Sequence, residues 1–273
     1  MGEQTRRRRC SEDRTGRTRR RFLTATSVAF AAGLAGCQDT TDAGDPDTND
    51  GASSSLEPPT GTSEDGIDDP TALVDATQEA LSANDYALEQ ELVNAVDGEE
   101  SLAVTQRRRS SLEDERRLFV FDAQSETNRR YIEGDTVYSR WTSDGETTVG
   151  SSEARRAFAE THPPELLGGS ESLGGIVETG TYTPGETARR NDRRVLRFDL
   201  ESADESAVSG TVTEATGTVF VDADSVVHDA SRSLTVEEDG VTTTVEQSFV
   251  VHELGAVDVQ RPDWFEAARN AGD

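Results

Sequence analysis

The sequence predicts an α+β domain: one antiparallel sheet of about ten strands, opened by a helix, interrupted by a helical insert and closed by a short helix. Three observations predict it. After one stretch of helical spacing the apolar period changes to two and stays there. Turn signals of the Asp-Gly and Asn-Asp kind separate the apolar runs at short intervals. No internal repeat and no regular alternation of strand with helix is present.

Asp69-Pro70 opens the first helix, with Asp as cap and Pro at the first helical position. Leu73, Val74, Thr77, Ala80 and Leu81 then recur at helical spacing until Asn84. Tyr86, Leu88, Leu92 and Val96 alternate along a first strand, Asp97-Gly98 turns the chain, and Leu102 and Val104 begin a second. Runs at 118–121, 130–132 and 137–141 predict three more strands, with turns at Gly134-Asp135 and Asp144-Gly145. Ser152 is the expected cap of a helix over 154–160, stopped by Pro163-Pro164, and the Gly-rich stretch 166–177 reads as neither helix nor strand. Runs at 182–188 and 195–200 form a hairpin around Asn191-Asp192. Runs at 219–221, 226–236 and 241–251 continue the sheet. Val257 and Val259 precede Pro262-Asp263-Trp264-Phe265 and the last helix.

Charge divides the chain. The net charge is −27 with no lysine at all, so the 27 cationic residues are all arginine against 54 acids. Residues 1–36 carry nine arginines and three acids, +6; the remainder carries 18 against 51, −33. Such a surface repels nucleic acid and anionic head groups, which excludes a general polyphosphate-binding role. Its self-repulsion disappears at molar salt, where the screening length is about 3 Å. Absence of lysine with an excess of acid resembles haloarchaeal proteins.

The first 37 residues read as an address. Arg19-Arg20-Arg21-Phe22-Leu23 leads an apolar stretch to Leu34, too short for the roughly 20 residues of a membrane span. Arg19 and Arg20 followed by Phe22 and Leu23 resemble the twin-arginine export signal. Leu34-Ala35-Gly36-Cys37 is similar to the lipobox of secreted lipoproteins, and that resemblance implies cleavage after residue 36 and a lipid thioether on Cys37. The expected location is the outer face of the cell membrane, held by lipid. Acyl chains at about 0.8 kcal/mol per buried CH₂ hold a soluble domain firmly when two or more are attached. Residues 38–69, Asp-, Thr-, Gly-, Ser- and Pro-rich, predict an acidic tether. Asp45, Asp47 and Asn49 imitate a calcium loop, but its Gly and final Glu fall one residue late, at Gly51 and Glu57. The folded domain is expected over 70–273.

One helix, antiparallel strands, a helical insert and more antiparallel strands resemble the LolA-like superfamily, with its mycobacterial LppX/LprG lipoproteins. The resemblance covers 70–265 in element order and rests on no diagnostic motif. It implies a strongly bent half-barrel whose concave face is covered by helices, and binding of acyl chains between the two. The stretch from Gly217-Thr218-Val219-Phe220 through Arg261-Pro262-Asp263-Trp264 also resembles a family of haloarchaeal lipoproteins.

A two-residue turn at Asp239-Gly240 sets the register of one hairpin. It places Leu234 opposite Val245, Arg232 opposite Gln247, Ala230 opposite Phe249 and His228 opposite Val251, on an apolar, inward face. The other face is Ser, Thr, Asp and Glu. An inward arginine must be compensated. Two readings stay open: Arg232, Gln247 and His228 reach a ligand's polar head in a cavity lined by Leu234, Val245 and Phe249, or the arginine fixes strand register.

Signals for chemistry are thin. Two cysteines and three scattered histidines assign no metal and no cofactor. Gly168-Gly169-Ser170-Glu171-Ser172 is not a nucleophile elbow, and no Gly-rich phosphate loop exists. The reading is a non-catalytic binding protein for a hydrophobic ligand such as a lipid; the alternative is a cell-envelope interaction module with a filled core. Fifteen of the 18 arginines beyond residue 36 lie between 107 and 197, to grip an anionic lipid or to pair with nearby carboxylates. Oligomeric state is left open.

Overall fold

A computed structural model defines residues 57–162 and 172–272. Arg19, Arg20, Phe22, Leu23, Cys37, the calcium-loop imitation and Pro163-Pro164 lie outside these described residues. Asp69 opens α1 (Pro70–Ala83) with its Oδ1 accepting the Ala72 N–H at 3.0 Å, and Asn84 ends it in extended backbone. Residues 57–69, expected as tether, instead lie against the domain. Thr60 N–H donates to Ser225 Oγ, Ile67 N–H to the Tyr182 carbonyl, and Gly61 sits so close to Asp69 and Leu73 that a Cβ would collide.

The strands are β1 (Tyr86–Val96), β2 (Glu99–Ser111), β3 (Arg116–Ala123), β4 (Glu126–Glu133), β5 (Thr136–Ser143) and β6 (Glu146–Glu153). After α2 (Phe158–Thr161) and α3 (Leu173–Val177) come β7 (Gly180–Pro184), β8 (Ala188–Arg190), β9 (Arg193–Ala203), β10 (Thr211–Asp222), β11 (Val227–Glu238) and β12 (Val241–Leu254), then α4 (Phe265–Asn270). They form one curved, unclosed antiparallel sheet of 12 strands in the order β6-β5-β4-β3-β2-β1-β12-β11-β10-β9-β7, with β8 on β9. The helix expected from Ser152 is replaced by strand: Ser152 pairs with Val137 in β6. Asp144-Gly145 makes a hairpin turn with both φ positive, and Thr147, Thr148 and Val149 favour the strand that follows. Only Phe158–Thr161 remains helical.

Strand pairing carries one face across the sheet. Arg232, Gln247, Leu92, Val104 and Ala123 form one continuous row on it; Arg108, Phe119, Arg130 and Ser139 form another. On this face α1 and α3 bury Leu73, Leu81, Leu173 and Ile176 against Tyr182, Phe198, Val219, Ala230, Phe249 and Val251. The opposite face carries a separate cluster, in which Val257, Val259, Trp264 and Phe265 from the C-terminal segment pack on Ala87, Tyr131 and Tyr138. The helices therefore divide between the two faces: α1 and α3 on one, α4 on the other.

Candidate functional site

The hairpin register is as the Asp239-Gly240 turn dictates. Both residues have positive φ, and Val236–Thr243, Leu234–Val245, Arg232–Gln247 and Ala230–Phe249 are partners. Burial alternates along β11 in step. Leu234, Gln247 and Phe249 are buried and Val245 half-buried, so these residues and Arg232 share one face.

His228 does not join that row. Asp229 pairs with Phe220 but Val227 pairs with Val221, which makes His228 the extra residue of a bulge. Its Nε2 meets Asp222 Oδ2 at 2.8 Å, and Asn191 Nδ2 lies 3.2 Å from its Nδ1. Asp222 also accepts from Arg193 and from the Asp224 and Val226 N–H groups. Burial pushes this carboxyl up, but His228, the Val226 N–H and Arg193 outweigh it and hold Asp222 below its ordinary value. This buried polar cluster ties β10 to β11 and to the β8–β9 turn.

Arg232 is buried, and its Nη2 donates to Gln247 Oε1. Its Nε and Nη1 find no acceptor among the described residues. Burial lowers its pKa, opposed only by Tyr182, whose phenol burial pushes up to about 12. Gly217 stands across from Arg232 on β10, where a Cβ would lie 3.3 Å from the Tyr182 hydroxyl. Farther along the same face, Gln90 Nε2 and Asn94 Oδ1 are also buried without a partner among the described residues.

Beyond Gln247 the face opens. A recess of about 170 Å³ is lined by Gln90, Glu91, Leu92, Leu102, Val104, Gln106 and Phe121. One pleat farther along β2 and β3, a recess of about 330 Å³ lies between the sheet and α2. Its floor is Arg108, Phe119, Arg130, Ile132 and Val137, and its wall is Ala154, Arg155, Arg156, Phe158 and Thr161. Arg117 fixes the wall by donating to the Thr161 carbonyl and to its Oγ1, with its guanidinium 5.1 Å from the Phe158 ring centre. Tyr86 donates to the His162 carbonyl at 2.6 Å, and Ser110 Oγ lies 2.8 Å from His162 Nδ1. The end of α2 is thus pinned to three strands.

Among the described residues no carboxylate lines the larger recess. The pleat explains this within one tripeptide. Arg107 and Arg109 point to the other face, where they pair with Glu89 and Glu253; Arg108, between them, points into the recess and makes no ion pair among the described residues. Its guanidinium lies 5.5 Å from the Phe119 ring centre. The central rows of this face carry no acid from β11 to β3, and on β4 Glu126 accepts from Trp141 Nε1, whereas the other face carries Glu89, Glu91, Asp122, Asp229 and Glu246. Alternation in Arg107-Arg108-Arg109 is the sequence signal that could have singled out Arg108.

No protein-family model matches the sequence, and no curated protein matches it. Among solved structures it resembles LprF from Mycobacterium bovis (10% identity, 73% of this chain and 98% of that one, TM-score 0.33). It also resembles a LolA superfamily protein from Nitrosomonas europaea (11% identity, 70% and 94%, TM-score 0.23). A third likeness is to a DUF1329 family protein from Desulfovibrio piger (6% identity, 71% and 95%, TM-score 0.22).

Proposed function

We propose that this chain is a non-catalytic binding protein, lipid-anchored through Cys37 on the outer face of the membrane, that holds a hydrophobic ligand on the Arg232-bearing face of its sheet. One observation carries the reading. In a chain with two acids for every arginine, this face has no acid in its central rows from β11 to β3, and beyond Gln247 it carries recesses of about 330 and 170 Å³ in which Phe, Leu, Ile and Val line the space together with arginine and amide side chains. Apolar side chains left open at that size are a ligand surface. The twin-arginine pattern and the lipobox supply the address, and the acidic opposite face suits a domain suspended in salty water. His162 and His228 both serve buried structural hydrogen bonds, which argues against either as a general base.

Purification of the native protein from membranes in molar salt, followed by solvent extraction and mass spectrometry, tests this. One lipid per chain is the expected result. A lipid-free protein favours the second reading, an interaction module, for which the filled space under α1 and α3 speaks. Intact-mass analysis tests the anchor separately: an unmodified Cys37 thiol removes it.

A further inference from the structure

The larger recess is a place where an apolar lining meets arginines that have no carboxylate among the described residues, and the two together specify a ligand. Arg108 and Arg130 flank Phe119 in one cross-strand row, their backbones two strand spacings, about 10 Å, apart. Long arginine side chains span such a gap onto one anion. Arg155 faces them from the wall. None of these three forms an ion pair among the described residues, although most arginines of the opposite face find a carboxylate. Ile132 and Val137 continue the floor beside them as a bed for hydrocarbon.

Resting on the binding role proposed above, we infer that this recess takes the head of an anionic amphiphile, a phosphate or sulfate monoester, between Arg108, Arg130 and Arg155, with its first methylenes on Phe119, Ile132 and Val137. Guanidinium is the suitable cation. It meets tetrahedral oxyanions through paired N–H donors at short range, and such bonds survive the molar salt that screens long-range attraction. A neutral lipid would leave these cations without a counter-charge, so headgroup charge becomes the selective feature.

The experiment uses the full chain in molar KCl with three probes: dodecyl phosphate and dodecyl maltoside, each below its micelle concentration, and inorganic phosphate. Calorimetric titration is expected to show dodecyl phosphate binding at least tenfold tighter than dodecyl maltoside, with inorganic phosphate weaker than either. Arg108→Gln and Arg130→Gln are each expected to weaken dodecyl phosphate at least tenfold and leave dodecyl maltoside unchanged. Arg107→Gln, on the opposite face, changes neither, and circular dichroism shows that each variant is folded. Equal affinity for the two amphiphiles, or indifference to both recess variants, overturns the headgroup inference while leaving hydrophobic binding intact. Failure of both amphiphiles to bind overturns the two together. Inorganic phosphate binding as tightly as dodecyl phosphate overturns the amphiphile and leaves a free-anion site.

Discussion

Arg232 stands directly opposite Gln247 across the β11–β12 pair, and Gln247 Oε1 is the one acceptor its guanidinium reaches among the described residues. No carboxylate among the described residues compensates the charge, so the arginine costs stability that an apolar side chain does not. Arg232→Met is expected to keep the denaturation midpoint in molar salt or to raise stability by about 1 kcal/mol. Gln247→Leu removes the acceptor and leaves the cation buried, for a loss of about 1–3 kcal/mol. Urea titration of both variants checks this. A large loss in Arg232→Met would make the arginine a structural keystone instead.

The register behind that pair depends on a turn in which Asp239 and Gly240 have φ of 52° and 81°. No atom lies within 4 Å of where a Cβ would project from Gly240, so a side chain there meets backbone strain and nothing else. Gly240→Ala is expected to cost about 1 kcal/mol without altering ligand binding. Thermal unfolding in high salt, beside a binding titration, reads both.

Much of this fold is legible in the residues. Asp-Gly pairs announce turns because they tolerate positive φ, and with the period of two they fix which side chains share a face. One turn therefore sets Arg232 across from Gln247, as the pairing has it. The same turn does not reach His228, because a bulge adds one residue there and alternation of apolar residues cannot register it. The arginine recess was illegible for another reason. Its floor comes from four strands, and only the pleat, followed through every pairing, separates Arg108 from Arg107 and Arg109, which have carboxylates, and brings Arg130 onto its face. The Ser152 helix failed because a Ser before acidic and basic residues resembles a cap even where β-branched neighbours hold it in a strand.

Asp222 gathers His228, Arg193 and two backbone N–H groups into one buried cluster at the end of β10. Asp222→Asn keeps the shape but loses the charge that these donors serve, and a loss of about 2 kcal/mol is expected from equilibrium denaturation. The folded carboxyl titrates below its ordinary 3.8, so its contribution is complete above that pH and is lost as pH falls through the lower folded value. The variant's stability is correspondingly flatter in strong acid.

His162 acts at milder pH. It is buried, its Nε2–H donates to the Asn84 carbonyl at 3.0 Å, and its Nδ1 accepts from Ser110, which is the arrangement of a neutral ring. Burial lowers its pKa from 6.5; the Asn84 hydrogen bond opposes that, Arg117 adds to it and Asp85 resists it. Below pH 6.5 the unfolded chain holds a proton on this ring that the folded chain does not, so protons favour unfolding. Stability from His162 is whole above 6.5 and lost as pH falls through the folded value, while Asp222 and Glu133, both lowered, contribute losses only below their ordinary 3.8 and 4.5. Across the interval between 6.5 and 4.5 the imidazole therefore acts while these two carboxylates do not. The denaturation midpoint is expected to fall across it in the natural protein and to stay level in His162→Gln. Because His162 anchors α2 over the arginine recess, dodecyl phosphate affinity should fall more steeply over this interval in the natural protein than in His162→Gln. The ligand's own second ionisation, at about pH 6, is common to both, and an equal fall in the two would assign the loss to another group.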